Sequence, residues 1–250
     1  MSAPVRIAMW SGPRNISTAM MRAFENREDT VVVDEPFYAH YLAVTGLDHP
    51  GRDAVLASQP TDWRAVAAQL NGPVPEGRPV WYQKHMAHHF VGGMDHGWLA
   101  GFVNCFLIRA PEEMVASYVR TRPEIAAEDF GLATQVALYD FVAQETGAAP
   151  PVLDAKDVLK DPEAMLTELC NRVGIPFTDR MLAWPAGPRP TDGVWAPHWY
   201  DAVIKSTGFN PYRERELHLT RREAAIAEEL RPHYQYLWER RLVVPMDQRN

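Results

Sequence analysis

Val5-Arg6-Ile7-Ala8-Met9-Trp10-Ser11-Gly12-Pro13-Arg14-Asn15-Ile16-Ser17-Thr18 lies near the start of the 250-residue sequence. Val5–Trp10 is short and apolar and stops at Ser11-Gly12-Pro13, and from Ile16 to Phe24 the apolar residues recur at helical spacing. The stretch reads as strand, tight loop, helix. A loop that leads into a helix presents free backbone N–H groups and the positive end of the helix dipole, a setting that suits a phosphate. Arg14 adds a fixed fork of donors, Ser17 and Thr18 add hydroxyls, and Gly12 permits the sharp turn. The pattern G-x-x-x-x-G-K-[ST] is absent, because neither a second Gly nor a Lys follows, so an ATP or GTP hydrolase of that kind is disfavoured. The plainer alternative is a capped helix after a strand, with Arg14 in water.

Outward from this unit, Thr30–Val33 is β-branched and reads as a second buried strand, and Phe37–Val44 as a helix before a Gly/Pro-rich loop to about Pro60. Thr61 is expected to cap a helix over Asp62–Leu70. Val80–Gln83 and Phe102–Ile108 read as strands, Pro111–Arg120 as a helix entered through Pro, Leu132–Thr146 as a long helix, and Val152–Asp154 as a short strand. Pro162–Val173 is a helix ended by Gly174; Asp179–Pro211 is rich in Pro, Gly and Trp without a period; Arg221–Arg241 is a terminal helix with a bend at Pro232. Short interior strands alternating with helices predict a doubly wound, mostly parallel α/β sheet with helices on both faces, binding its ligand at the carboxyl ends of the strands. The expectation is a single domain over residues 1–250, with a Trp/Pro-rich lid around 180–215 and a C-terminal helix.

Composition narrows the function. With 46% hydrophobic and 23% charged residues the chain is ordinary globular rather than disordered. No run approaches the roughly 18 uncharged apolar residues of a membrane span, and Met1–Gly12 has no basic start followed by a long apolar stretch. Cys105 and Cys170 each sit in an apolar run and read as buried thiols in a reducing cytoplasm. The formal charge of −7 argues against a nucleic-acid partner, so an anionic ligand has to be held by locally placed donors. The arginines of the last helix (Arg221, Arg222, Arg231, Arg240, Arg241) read as a solvated face.

A second anion site follows the fourth strand. Arg109 ends it, and Ser117 lies eight residues on, about two turns along the next helix. The alternative for Arg109 is an ion pair with Glu112 or Glu113. Two anion sites after two strands of one sheet suggest a ligand with separated phosphates. Pro13-Arg14-Asn15-Ile16-Ser17-Thr18 resembles the 5′-phosphosulfate loop of sulfotransferases that use 3′-phosphoadenosine 5′-phosphosulfate (PAPS). Ile108-Arg109-Ala110-Pro111-Glu112-Glu113-Met114-Val115-Ala116-Ser117-Tyr118 resembles their 3′-phosphate motif. The resemblance covers residues 4–40, 80–120 and, more loosely, 195–215, in the bacterial-type branch. Asn15-Ile16 departs from the Ser-Gly pair common there. The resemblance implies a P-loop-like α/β sulfotransferase, in-line transfer of a sulfuryl group to the hydroxyl or amine of a small acceptor, and no metal. It also implies that Gly12, Pro13, Arg14, Asn15, Ser17 and Thr18 form the 5′ site, with Arg109 and Ser117 at the 3′-phosphate.

Such transfer needs in-line placement, cations on the transferring group and a base for the acceptor. Gln83-Lys84-His85 ends the third strand, where Lys84 is placed to neutralise the bridging oxygen and His85 has a reference pKa suited to a base. Asp34-Glu35-Pro36 ends the second, and Glu35 occupies the place of the base in protein-tyrosine and some bacterial sulfotransferases. Glu35 and His85 both stand as candidate bases; Asp34 and Glu35 also read as helix caps. His85, His88, His89 and His96 lack H-E-x-x-H or C-x-x-C spacing, so structural or substrate-lining histidines are expected in place of a metal. Lys205, Ser206 and Thr207 fit, loosely, a late loop over the 3′-phosphate and adenine with Trp199 or Phe209 near the base; the rival is an aromatic lid packed on the sheet. Eight Trp make an apolar acceptor pocket plausible. Two other functions share the anion sites: a non-catalytic sensor of 3′,5′-bisphosphonucleotides, and an ATP-dependent phosphotransferase.

Overall fold

The structure is a computed structural model and describes residues 3–244. Its centre is a five-stranded sheet in the order β2-β3-β1-β4-β5, built from β1 (Val5–Ser11), β2 (Thr30–Asp34), β3 (Val80–Met86), β4 (Val103–Ile108) and β5 (Val152–Asp154). Every pairing is parallel. β1 lies in the middle because it is apolar on both faces. Ile7 and Met9 face one layer, with α1 (Ser17–Glu25) and α8 (Pro162–Val173). Ala8 and Trp10 face the other, with α4 (Trp63–Asn71), α5 (Pro111–Tyr118), α6 (Leu132–Thr146) and α11 (Arg221–Trp238). A parallel strand covered on both faces needs such a continuous apolar run. The doubly wound α/β architecture is as expected.

A third cluster lies beside the sheet, where α2 (Tyr38–Thr45) and α3 (Arg52–Ser58) meet α9 (Ala196–Trp199) and α10 (Asp201–Ile204). The last helix of the set, α7 (Ala155–Lys160), follows β5 directly, with the Asp154 side chain accepting from the Lys156 N–H. Two local expectations need correction. Residues 52–58 are helical where a loop to Pro60 was expected; this seven-residue helix is held by a fully buried Val55. The cap of α4 is Asp62, whose carboxylate accepts from the Arg64 N–H, and not Thr61. Residues 179–211 contain a single 3₁₀ turn (Asp179–Met181) and the short α9 and α10, all irregularly spaced.

That late segment is tied down rather than loose. Arg22, 1% exposed, pairs with Asp192 at 2.7 Å, and the Trp184 N–H donates to Thr207 O at 3.0 Å. The Gly193 N–H donates to Asp34 at 3.2 Å, and Trp195 and Tyr200 are buried beneath. Pro232 sits inside α11, which ends at Trp238. Among the described residues no helix is long and apolar enough to cross a membrane.

Candidate active site

A cavity of about 860 Å³ opens at the carboxyl ends of the strands, bordered by the loop after β1, the last turn of α5 and residues 208–220. The loop after β1 is conformationally costly. Arg14 (φ 59°) and Ile16 (φ 48°) both adopt the left-handed region, at a cost of order 1–3 kcal/mol each for residues with a Cβ. Surrounding contacts hold it there. Asn15 is buried and donates through Nδ2 to Leu107 O on β4. Gly12 is required by packing: a Cβ there would meet Phe130 O at 2.4 Å and Met114 Cε at 2.6 Å. The amide of Gln135, oriented oxygen toward the loop, accepts from the Gly12 N–H at 3.3 Å. Gly12 and Asn15 therefore shape the loop, and Pro13, Arg14, Asn15, Ser17 and Thr18 border the cavity. No side chain caps α1, so its first-turn N–H groups are left to the cavity side.

The loop after β1 and the Arg109/Ser117 motif meet. Arg109 donates through Nη1 to Arg14 O at 2.7 Å and pairs through Nε with Glu113 at 2.8 Å, so the ion pair read as an alternative coexists with the loop contact. Arg14 Nε donates to Ser117 Oγ at 3.0 Å. Because a guanidinium only donates, the Ser117 hydroxyl keeps its own proton for another acceptor. Burial lowers the Arg14 pKa from its usual value, and the like charges of Arg120 and Arg109 lower it further. Such crowding of cations is relieved by an anion.

Across the cavity, Lys84 has all three N–H donors engaged. It contacts Asp34 at 2.9 Å and Tyr200 Oη at 2.8 Å, and it also pairs with Glu35. Tyr200 Oη accepts from the Trp195 indole at 3.1 Å and gives its proton to Asp34 at 2.7 Å. Burial raises the Glu35 pKa above the usual carboxylate value, with Asp34 adding to the rise against the pull of Lys84. Burial alone would lower the Lys84 pKa; Asp34 and Glu35 outweigh it and keep the ammonium charged. Glu35 itself sits at φ 40°, a strained turn that aims its side chain toward Lys84.

Four of the expected site residues stand elsewhere or play a lesser part. His85 is on the opposite face of β3 from Lys84, since successive strand side chains alternate. It stacks on Trp10 at 4.4 Å and its Nε2 contacts Gln83 at 3.1 Å. Burial and then Lys84 lower its pKa to about 3, so it is neutral core. Lys205 is exposed and pairs with Asp201 at 2.7 Å; Thr207 serves through its backbone carbonyl. Ser206 borders the cavity with its hydroxyl spent on Val203 O. Trp199 and Phe209 do border it. The sequence reading missed Arg120, Arg213 and Arg215, and also Tyr212, whose hydroxyl donates to Glu113 at 2.9 Å. It also missed Tyr38 and His49 in the pocket wall, whereas His88 and His89, read as structural or substrate-lining histidines, do border the cavity. Among the described residues no three His, Cys, Asp or Glu side chains cluster to hold a metal ion.

The doubly wound sheet, with an arginine-bordered cavity at its strand ends faced by a buried Lys–Glu pair, defines the class as a parallel α/β fold with one ligand-sized site. Residues 5–240 match the sulfotransferase domain family, to which the chain belongs. Two Arabidopsis thaliana proteins, branched-chain-amino-acid aminotransferase-like proteins 1 and 2, are 38% and 37% identical over 84% and 82% of this chain. The chain spans only 37% and 36% of their length. Among solved structures, the sulfotransferase domain of the Synechococcus PCC 7002 olefin synthase has a TM-score of 0.53 at 16% identity, covering 92% of this chain and 96% of its own. A sulfotransferase from Alicyclobacillus acidocaldarius has a TM-score of 0.53 at 13% identity, covering 97% and 98%. Both likenesses concern the fold.

Proposed function

We propose that this sulfotransferase-family chain takes its sulfuryl group from PAPS and passes it in line to the hydroxyl or amine of a small acceptor. The observation that carries the reading is the meeting of Arg14, Arg109 and Ser117 in one cavity with Glu35 and Lys84 on its wall. Arg14, Ser17 and Thr18 hold the 5′-phosphosulfate, and Arg109 and Ser117 hold the 3′-phosphate. Glu35 accepts the acceptor's proton as the new S–O bond (S–N for an amine) forms and the bond from sulfur to the bridging oxygen breaks. The electron pair leaves with adenosine 3′,5′-bisphosphate. Lys84, the assigned cation, stabilises the charge that gathers on the bridging oxygen by releasing one of its three resting contacts, and Arg14 adds to it. Burial favours Glu35 in this role, because a carboxylate with a raised pKa is a better base near neutrality. No metal is needed, and neither nucleic acid nor membrane is a partner in this reading. A reducing, cytoplasmic setting is supported by the two free, buried thiols of Cys105 and Cys170.

Calorimetric titration tests the donor. Micromolar binding of adenosine 3′,5′-bisphosphate that is far tighter than that of ATP supports the reading. Equal or tighter ATP binding, with a magnesium requirement, favours a phosphotransferase instead.

A further inference from the structure

On the α2 side of Glu35 the cavity wall is made of groups that the donor reading does not use. His49 Nε2 lies 2.7 Å from Arg122 Nη1, and His49 Nδ1 lies 2.8 Å from Tyr38 Oη. A guanidinium has no acceptor, so Nε2 must accept and the single proton of the neutral ring must be on Nδ1. That proton is donated to Tyr38 Oη, so the tyrosine's own proton is not spent on His49. Tyr38 also follows Glu35 in the turn, its N–H donating to Glu35 O at 3.1 Å, and both side chains border the cavity. The charge of Arg122 is committed within the wall, to His49 and to Asp129 at 3.7 Å.

His89, 2% exposed, packs against both Tyr38 and Tyr41, with ring centroids 4.7 Å away in each case and interplanar angles of 17° and 26°. Its Nδ1 is buried without a partner, as is that of His88 beside it, and both rings border the cavity. An unpartnered buried nitrogen costs about 1–3 kcal/mol, and a turn of either ring that brings it to the cavity would let a ligand complete it. Burial, before any neighbouring charge, pulls the pKa of His88 down to about 3 and that of His49 to about 4. The wall is therefore uncharged, aromatic and able to form hydrogen bonds. Within this wall the one cation, Arg122, is already committed to His49 and Asp129, so a carboxylate brought here is offered no free charge, and an ammonium finds neutral imidazoles.

Resting on the proposed sulfuryl transfer, we propose that this wall is the acceptor subsite and selects an uncharged, ring-bearing hydroxyl compound with a second hydrogen-bonding group. Tyr38 Oη donates to the reacting oxygen's neighbourhood beside Glu35, the aromatic faces cover the ring, and His88 and His89 take the second group.

The test uses the full-length protein without nucleotide and three probes of one shape: 4-hydroxybenzyl alcohol, 4-hydroxybenzoate and tyramine. The neutral probe is expected to bind at least about tenfold more tightly than either charged one, the worth of roughly one buried hydrogen bond. With PAPS present, Tyr38→Phe, which keeps the stacked ring, should raise the acceptor KM about tenfold and leave adenosine 3′,5′-bisphosphate affinity unchanged. His89→Phe should erase the preference for 4-hydroxybenzyl alcohol over 4-methylphenol. Equal or tighter binding of a charged probe, no binding of any probe, or an unchanged KM in Tyr38→Phe overturns the subsite. Failure of adenosine 3′,5′-bisphosphate to bind the same samples counts against the donor reading alone, because the probe titrations are made without it.

Discussion

Lys84 and Glu35 face each other in the resting site, and the distribution of their protons sets how the site titrates. Glu35 acts as a base only when ionised, and burial together with Asp34 raises its pKa above the ordinary carboxylate value of about 4.3. Turnover should therefore fall as pH drops through that raised value, giving kcat/KM an acid limb above the usual carboxylate range. Glu35→Gln should lower kcat by about 10²–10⁴-fold and abolish the limb, with nucleotide affinity kept within a few-fold. His85→Asn should retain turnover and lose stability, by about 1–3 kcal/mol, because the ring it removes is stacked on Trp10 in the core. Retained turnover in Glu35→Gln together with loss in His85→Asn would reverse the assignment. Steady-state kinetics across pH and a thermal melt of each variant decide the matter.

At the scale of elements, the loop after β1 is held by what lies behind it. Gly12→Ala forces a Cβ against Phe130 O and Met114 Cε, so overpacking of about 1–3 kcal/mol is expected, with nucleotide binding lost through the displaced loop. A lowered denaturation midpoint together with weakened binding checks this; an unchanged midpoint would contradict it. The elements most legible in the sequence were those with local signals. Leu132–Thr146, Val152–Asp154 and Pro162–Val173 appear with the bounds read from periodicity, β-branching, Pro and Gly. The strand–loop–helix and the Arg109/Ser117 motif were legible because residue type and order carry them. What escaped was set by tertiary contact. Whether Lys84 or His85 faces the cavity depends on the sheet face, and Asp34–Glu35 both fit a helix cap until Lys84 is brought beside them. Residues 208–220 have no period at all, which hid Tyr212, Arg213 and Arg215. The helix Arg52–Ser58 is too short to announce itself, and with it the wall containing His49 was missed.

For the whole molecule, the formal charge is −7, yet Arg14, Arg109, Arg120, Arg213 and Arg215 all border one cavity. A local positive field in a negative protein is screened by salt over about 10 Å at 0.1 M. The affinity for adenosine 3′,5′-bisphosphate should therefore fall about tenfold between 50 and 500 mM salt, and Arg109→Ala should flatten the slope. A salt-independent affinity measured by titration would contradict this field. The late segment takes part in the same assembly: Arg22–Asp192 and the Tyr200–Asp34 bond fix it to the sheet, so one wall of the cavity depends on chain nearly 170 residues away from the strand end it meets. The central claim is that Arg14 and Arg109 hold two phosphates of one nucleotide. Titrating adenosine 3′,5′-bisphosphate against adenosine 5′-monophosphate, in the wild type and in Arg109→Ala, tests it most directly. The account predicts a preference of about 10- to 100-fold for the bisphosphate in the wild type, the worth of charge-assisted hydrogen bonds to the 3′-phosphate, shrinking to a few-fold in the variant. Equal affinity for the two nucleotides in the wild type, or a preference untouched by the substitution, would contradict it.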